Sequence, residues 1–130
     1  TLPHRAVFLS VWERYQKCER LSDFEETVLQ ALLKYPQYIA ELGRDKTYDI
    51  ESNPYFILGS YMAVLDQIKT DRPAGIKAWF NDSCQSMGKC QVEQLMLQVL
   101  RESILEGYSQ NKLPCEQEYF NTLKKMALVL

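Results

Sequence analysis

The side chains able to do acid, base or nucleophilic chemistry are few in this sequence and are not spaced as a catalytic set. Its one histidine, His4, lies among the terminal residues, which are the least ordered part of most domains. Serine and cysteine nucleophiles need a neighbouring base, most often histidine. The sequence has no G-x-x-x-x-G-K-S/T loop or G-x-G-x-x-G turn, so nucleotide binding has no motif. We therefore predict no catalytic residues.

Two pairs of metal-ligating residue types are spaced closely enough to consider. Glu102 and Glu106 lie one helical turn apart, but a ferritin-like di-iron bundle needs Glu-x-x-His steps, and neither carboxylate has a histidine partner. Cys84 and Cys90 flank the helix-ending Gly88, and no further ligand is spaced to join them in a zinc site. The sequence predicts neither a metal site nor a cofactor.

Composition indicates one globular domain covering residues 1–130. Hydrophobic residues make up 46% of the chain and aromatic residues 12%, enough to bury a core. A formal net charge of −2 creates no field that would recruit nucleic acid or an anionic membrane surface. No apolar run approaches the roughly 18 residues of a membrane span, and no signal-peptide pattern is visible. We expect a cytoplasmic protein with reduced, mostly buried cysteines (Cys18, Cys84, Cys90, Cys115).

Apolar residues recur at three- and four-residue steps along the whole chain, which predicts helices and no strand. A first helix is expected over about residues 4–18, and a second begins at the capping-box spacing of Ser22 and Glu25. Pro36 should interrupt that second helix, which then ends at Gly43. After the polar connection 44–52 come four more segments. They are a central helix, a fourth helix opened by Pro73, a fifth from about Lys89 to Glu106 stopped by Gly107, and a last helix after Leu113-Pro114.

The central helix is predicted over residues 54–69, because Asn53-Pro54 is a strong start signal. Its apolar residues place Ile57 and Tyr61 at the centre of one buried face, together with Leu58, Leu65 and Ile68. Gly59 and Ala63 lie four residues apart, where a neighbouring helix could approach closely. The expected fold is an all-α compact bundle of five to six mostly antiparallel helices around this central helix.

Asn53 and Asp71 are polar residues at opposite ends of the central helix, and a helix of about 16 residues separates them by roughly 24 Å. Each is therefore predicted to act locally: Asn53 caps the central helix, and Thr70 or Asp71 caps the next one. Arg72 has two open interpretations, since a cap needs no guanidinium. It pairs with a carboxylate from another helix, or it faces a ligand or partner.

The chain resembles a family of small all-α bacterial proteins known only as a domain of unknown function. The specific part of the resemblance runs from Asn53-Pro54-Tyr55-Phe56 through Gly59 to Thr70-Asp71-Arg72-Pro73-Ala74-Gly75-Ile76. Weaker similarities cover almost the whole chain, at Tyr35-Pro36-Gln37-Tyr38, in the fifth helix and around Pro114. Within this resemblance, Asn53, Pro54, Gly59, Asp71, Arg72, Pro73 and Gly75 form the structural signature.

The resemblance also implies a metal site that this chain has lost. The family carries three histidine pairs of i, i+4 spacing, which suggest a di-metal site when they converge. The corresponding positions here are Tyr35 and Ile39, Ile57 and Tyr61, Cys90 and Gln94, and none is histidine. Replacing imidazoles by these side chains removes nearly all metal affinity. We expect no metal at these six positions, with Ile57 and Tyr61 in the core.

Three functional hypotheses remain from the sequence. The favoured one is a non-enzymatic, degenerate family member that acts by binding another protein or itself. The alternative is a small-ligand, metal or redox binding module whose pocket is lined by Tyr35, Tyr61, Cys90 and Gln94. An enzyme using Cys90 as nucleophile is the third, and it is disfavoured because no histidine is placed to activate the thiol.

Overall fold

The computed structural model describes residues 5–113 and 115–129, and these residues are mostly helical. They contain six α-helices and two short 3-10 helices, with no strand in the described part of the chain. The α-helices are α1 (Arg5–Gln16), α2 (Asp23–Lys34), α3 (Pro54–Thr70), α4 (Ile76–Met87), α5 (Lys89–Gln110) and α6 (Glu116–Ala127), and the 3-10 helices are η1 (Pro36–Glu41) and η2 (Ile50–Ser52). The predicted all-α class is confirmed. His4 and Pro114 lie outside the described residues.

The chain is organised as two compact units, Thr1–Met62 and Ala63–Leu130. The boundary falls within α3, so the first unit takes its residues 54–62 and the second its residues 63–70. Within the first unit α1 packs against α2, and within the second α5 packs against both α4 and α6. A single domain over residues 1–130 stays a prediction. None of the described helices has the length and apolarity needed to cross a membrane.

The turn between α1 and α2 is held by a capping box and one arginine. The Ser22 hydroxyl accepts from the Glu25 backbone N–H at 3.2 Å, and the Glu25 carboxylate accepts from the Ser22 N–H at 2.9 Å. Arg14 donates to the same carboxylate and to the Arg20 carbonyl at 2.8 Å. These bonds satisfy donors at the start of α2 that have no partner within the helix. The predicted capping box is confirmed.

Pro36 ends α2 as its ring geometry requires. The α-helix stops at Lys34, and the chain continues as η1, with Pro36 at its first position. The last bond of α2 runs from the Tyr35 N–H to the Ala31 carbonyl at 3.1 Å, and proline has no N–H to donate the next one. The predicted interruption is confirmed.

The central helix α3 is buried on nearly all sides over its first two-thirds. Its start at Pro54 is as predicted, and it ends at Thr70. Leu58 and Val64 are fully buried, Gly59 and Ser60 are buried with them, and Tyr61 is buried as expected. Ile57 is only half-buried, so the prediction that it is a core residue is wrong. A helix enclosed on several sides has no single face whose centre could be read from apolar spacing.

Two predicted boundaries in the second unit are wrong. Pro73 does not open α4. It lies buried in a turn with a cis Arg72-Pro73 peptide bond, and α4 begins at Ile76. Gly107 does not stop α5, because it lies inside the helix, where it is buried. The helix continues to Gln110 and ends where Asn111 takes a left-handed conformation (φ 53°), with the Lys112 N–H bonded to the Gly107 carbonyl at 2.8 Å.

The cysteines are less buried than predicted. All four thiols are free, Cys84 is half-buried, and Cys18, Cys90 and Cys115 are exposed. Cys18 lies in the α1–α2 turn, Cys90 in the first turn of α5 and Cys115 just before α6, so each occupies a helix boundary near solvent. The sequence predicts a first helix through about residue 18, but α1 ends at Gln16 and leaves Cys18 in the turn that follows.

Candidate functional site

Four of the six positions that the family resemblance singled out lie in the first unit, and two of their side chains meet. Tyr35 follows α2, and its ring stands edge-on to the ring of Tyr61, with centroids 5.7 Å apart and planes at 87°. This is the edge-to-face geometry that aromatic pairs prefer. Ile39 in η1 and Ile57 in α3 are both half-buried. The structure therefore brings the Tyr35 and Tyr61 rings into contact within the first unit.

The Tyr35–Tyr61 pair is extended by two neighbours from the same unit. The Tyr38 ring lies 6.0 Å from that of Tyr35, and the Lys34 ammonium lies 6.0 Å from the Tyr61 centroid. Tyr61 is 8% exposed, so the ring is removed from water on most of its surface. Aromatic contacts of this kind contribute about 0.5–1.5 kcal/mol beyond the area that they bury. This aromatic cluster stabilises the first unit by packing.

The other two positions, Cys90 and Gln94, lie on α5 in the second unit, and both side chains are exposed. Cys84 lies across the α4–α5 turn at Gly88. Partial burial raises the pKa of the Cys84 thiol, and the nearby Glu93 carboxylate raises it further. A raised thiol pKa reduces the thiolate fraction and with it the nucleophilicity of the sulfur. Across the described residues, no three His, Cys, Asp or Glu side chains are grouped so as to hold a metal ion.

Asn53 caps α3 as predicted. Its side-chain oxygen accepts from the Tyr55 N–H at 2.9 Å, and its carbonyl accepts the first helical bond from Ile57 at 3.1 Å. Pro54 occupies the first helical position, where a missing N–H has no consequence. Asn53 and Pro54 therefore define the N-terminal end of α3.

Asp71 organises the turn between α3 and α4. One oxygen of its carboxylate accepts from the N–H groups of Gly75 at 3.1 Å and Lys77 at 3.0 Å. These two hydrogen bonds hold the pKa of the Asp71 carboxyl below its ordinary value. Asp71 thus caps α4 from outside the helix, whereas the Thr70 hydroxyl donates back to the Asp66 carbonyl at 2.7 Å.

Comparison with known proteins identifies the family to which this chain belongs. The family model described as Domain of unknown function (DUF1841) matches residues 2–125. The chain belongs to this family. No curated protein and no solved structure matches it.

In this DUF1841 domain, residues of the α3–α4 turn lie next to α6 within the second unit. Arg72 lies 3.8 Å from the Glu116 carboxylate, so a carboxylate from another helix is its partner. A side chain at Gly75 would meet the ring of Phe120 at 3.6 Å. The centroids of the Phe120 and Trp79 rings lie 6.2 Å apart, and the two ring planes are almost perpendicular. The Lys124 ammonium lies 4.0 Å from the Phe120 centroid. These contacts give the signature residues of the turn a structural role.

A cleft of about 130 Å³ with a mostly polar lining lies where α5 leads into α6, and nothing in the sequence pattern predicts it. Its lining includes the carboxylate residues Glu106 and Glu118, the thiol residue Cys115 and the buried Gly107. Leu113, which is 93% exposed, also lines the cleft, and Tyr108 near the end of α5 is 69% exposed. The sequence predicts that the fifth helix ends at about Glu106, before Tyr108. It therefore does not predict an exposed tyrosine on that helix.

Proposed function

We propose that this DUF1841 domain is a non-enzymatic, degenerate member of its family that acts by binding a protein through its second unit. The observation that supports this proposal is a set of large apolar side chains left in solvent there. Tyr108 and Leu113 flank the α5–α6 connection, and Leu128 and Val129 follow the last turn of α6. Groups of exposed apolar residues next to polar rims mark interaction surfaces more often than scattered ones do.

The loss of metal chemistry is part of the same proposal. Imidazole nitrogens at positions 35 and 61 would belong to rings that adjoin each other, and here both rings are phenols in edge-to-face contact. A neutral phenol is a poor ligand for zinc or iron compared with imidazole or thiolate. Elemental analysis of the purified protein should find no stoichiometric zinc, iron or manganese. A stoichiometric metal would contradict this proposal and favour the ligand or metal module with Tyr35, Tyr61, Cys90 and Gln94.

The binding proposal is tested by site-specific photo-crosslinking in cells that express the domain. A photoreactive residue at Leu113 or Leu128 should give discrete higher-mass adducts. The same residue at Leu33, which is 51% exposed on α2 in the first unit, is the matched control and should give none. Adducts that disappear when Tyr108 and Val129 are both changed to serine would tie the contact to this surface. Absence of adducts at both second-unit positions, or equal adducts at Leu33, would contradict the proposal.

A further inference from the structure

The outer side of α6 carries a charge pattern that is complementary to itself when reversed. Glu116 and Glu118 lie in its first turn and Lys124 and Lys125 in its last. The buried side chains Tyr119, Phe120 and Leu123 take the inner side, which leaves Glu118, Thr122 and Lys125 on one exposed stripe at i, i+4 and i+7. We call Glu118, Thr122 and Lys125 the α6 stripe.

The charges of the α6 stripe are unused within the described chain. Lys124 is placed over the Phe120 ring, and Glu116 faces Arg72, but neither Glu118 nor Lys125 forms an ion pair among the described residues. Glu118 and Thr122 line the cleft between α5 and α6, and the exposed Leu113 lines it with them. At the other end, Lys125 is followed by the exposed Leu128 and Val129. The N-terminal end of α6 is thus acidic and lies near one exposed apolar residue, Leu113. The C-terminal end is basic and is followed by two, Leu128 and Val129.

We propose that the partner of this surface is a second copy of the chain, with the two α6 helices packed antiparallel about a two-fold axis. The inference rests on the proposed function and names its partner. Pairing Glu118 of one copy with Lys125 of the other places Leu128 next to Cys115 and close to Leu113 of the second copy. A two-fold axis repeats each contact, so two ion pairs and two apolar contacts form together. The antiparallel helix dipoles also attract each other.

The size of this contact sets the strength of the dimer. A stable interface buries about 1,200–2,000 Å² in total, and one pair of twelve-residue helices with flanking residues supplies the lower end of that range or less. The dimer is therefore weak and forms at high local concentration. Because its ion pairs are at the rim of the contact, added salt weakens it further.

Charge reversal tests the register without touching the core. Sedimentation velocity over a concentration series should show a monomer–dimer equilibrium for the wild-type chain. Glu118→Lys alone, or Lys125→Glu alone, turns two attractions into two repulsions and should weaken the dimer about tenfold. The double variant Glu118→Lys/Lys125→Glu restores both pairs with reversed sign and should recover the wild-type dimer. Lys17→Glu, an exposed change in the first unit, is the control for net charge and should leave the equilibrium unchanged.

The outcomes separate this inference from the broader proposal. A wild-type chain that stays monomeric at every concentration, or a dimer indifferent to both single reversals, overturns the α6 pairing. A double variant as weak as the single ones also overturns it. If the charge-reversal experiment fails but photo-crosslinking at Leu113 gives adducts whose mass is not that of a second copy, the domain binds a different protein. The proposed function then stands and the α6 pairing does not. Absence of any adduct in that experiment removes the proposed function itself.

Discussion

The hydroxyl of Tyr119 donates a hydrogen bond of 2.8 Å to the side-chain oxygen of Gln67, and this bond joins α6 to the end of α3 within the second unit. Tyr119 is 4% exposed, so its hydroxyl has exchanged water for the Gln67 oxygen. Burial raises the pKa of the Tyr119 phenol far above its ordinary value. The neutral phenol is therefore the form that the fold requires.

Tyr119→Phe should lower the free energy of unfolding by about 1–2 kcal/mol, because the Gln67 oxygen loses its donor while the ring remains in place. Urea denaturation followed by circular dichroism measures the change. Tyr108→Phe, at a tyrosine that is 69% exposed, is the matched control and should have no effect within error. Equal effects of the two substitutions would show that the hydrogen bond contributes nothing net.

The same phenol makes stability depend on alkaline pH. A tyrosine in the unfolded chain ionises near pH 10, whereas Tyr119 in the folded chain holds its proton to higher pH. The stabilisation is thus fully present below about pH 10 and is lost as pH rises from there toward the folded pKa. Urea midpoints measured at increasing pH should fall more steeply for the wild type than for Tyr119→Phe. Parallel profiles would assign the alkaline loss to other groups.

Asp71→Ala should destabilise the second unit, since it removes the shared acceptor of the Gly75 and Lys77 N–H groups. Asp71→Asn keeps an oxygen acceptor and should lose less. Because these bonds lower the pKa of the Asp71 carboxyl, its stabilisation is present above the ordinary aspartate pKa and is lost as pH falls through the lower, folded value. Asp82→Ala, at an exposed aspartate of α4, is the control. Thermal melts in which all three variants match the wild type would contradict a capping role for Asp71.

Local chemistry accounts for the parts of the fold that could be predicted from sequence. Asn53-Pro54, the Ser22–Glu25 box and Pro36 act through bonds to residues within four positions, so their spacing identifies them. Pro73 and Gly107 carry the same residue signals, yet Pro73 lies buried in the α3–α4 turn and Gly107 lies buried inside α5. No spacing rule reports either environment.

The candidate sites follow the same division. Capping by Asn53 and Asp71 could be predicted because a polar cap acts on its own helix. The Tyr35–Tyr61 contact joins two residues that are distant in sequence, and no spacing rule predicts it. The cleft between α5 and α6 and the exposed Tyr108 and Leu113 had no signal, because exposure of an apolar residue is decided by tertiary packing.

Gly75 and Gly88 both have positive φ but different ψ. Substitution by asparagine should therefore lower the free energy of unfolding by different amounts at the two positions. Gly75 (φ 94°, ψ −9°) is near the left-handed region, which asparagine tolerates, whereas Gly88 (φ 87°, ψ 147°) lies in a region used almost only by glycine. Gly75→Asn should therefore be better tolerated than Gly88→Asn, which should cost roughly 1–3 kcal/mol. Nothing lies within 4 Å of a side chain at Gly88, so its cost comes from the backbone alone. Chemical denaturation of the pair measures the difference, and the reverse order would contradict this explanation.

Arg72→Ala separates a stabilising role from a binding role for the arginine of the signature. Its guanidinium is 3.8 Å from the Glu116 carboxylate, and the two side chains are 73% and 62% exposed. Ion pairs so open to solvent contribute little, so we expect a change of no more than about 0.5 kcal/mol in the free energy of unfolding. Glu116→Ala, which removes the other half of the pair, should match it. A loss above about 2 kcal/mol for Arg72→Ala alone would contradict this expectation and would mean that the guanidinium supports the turn through more than this ion pair.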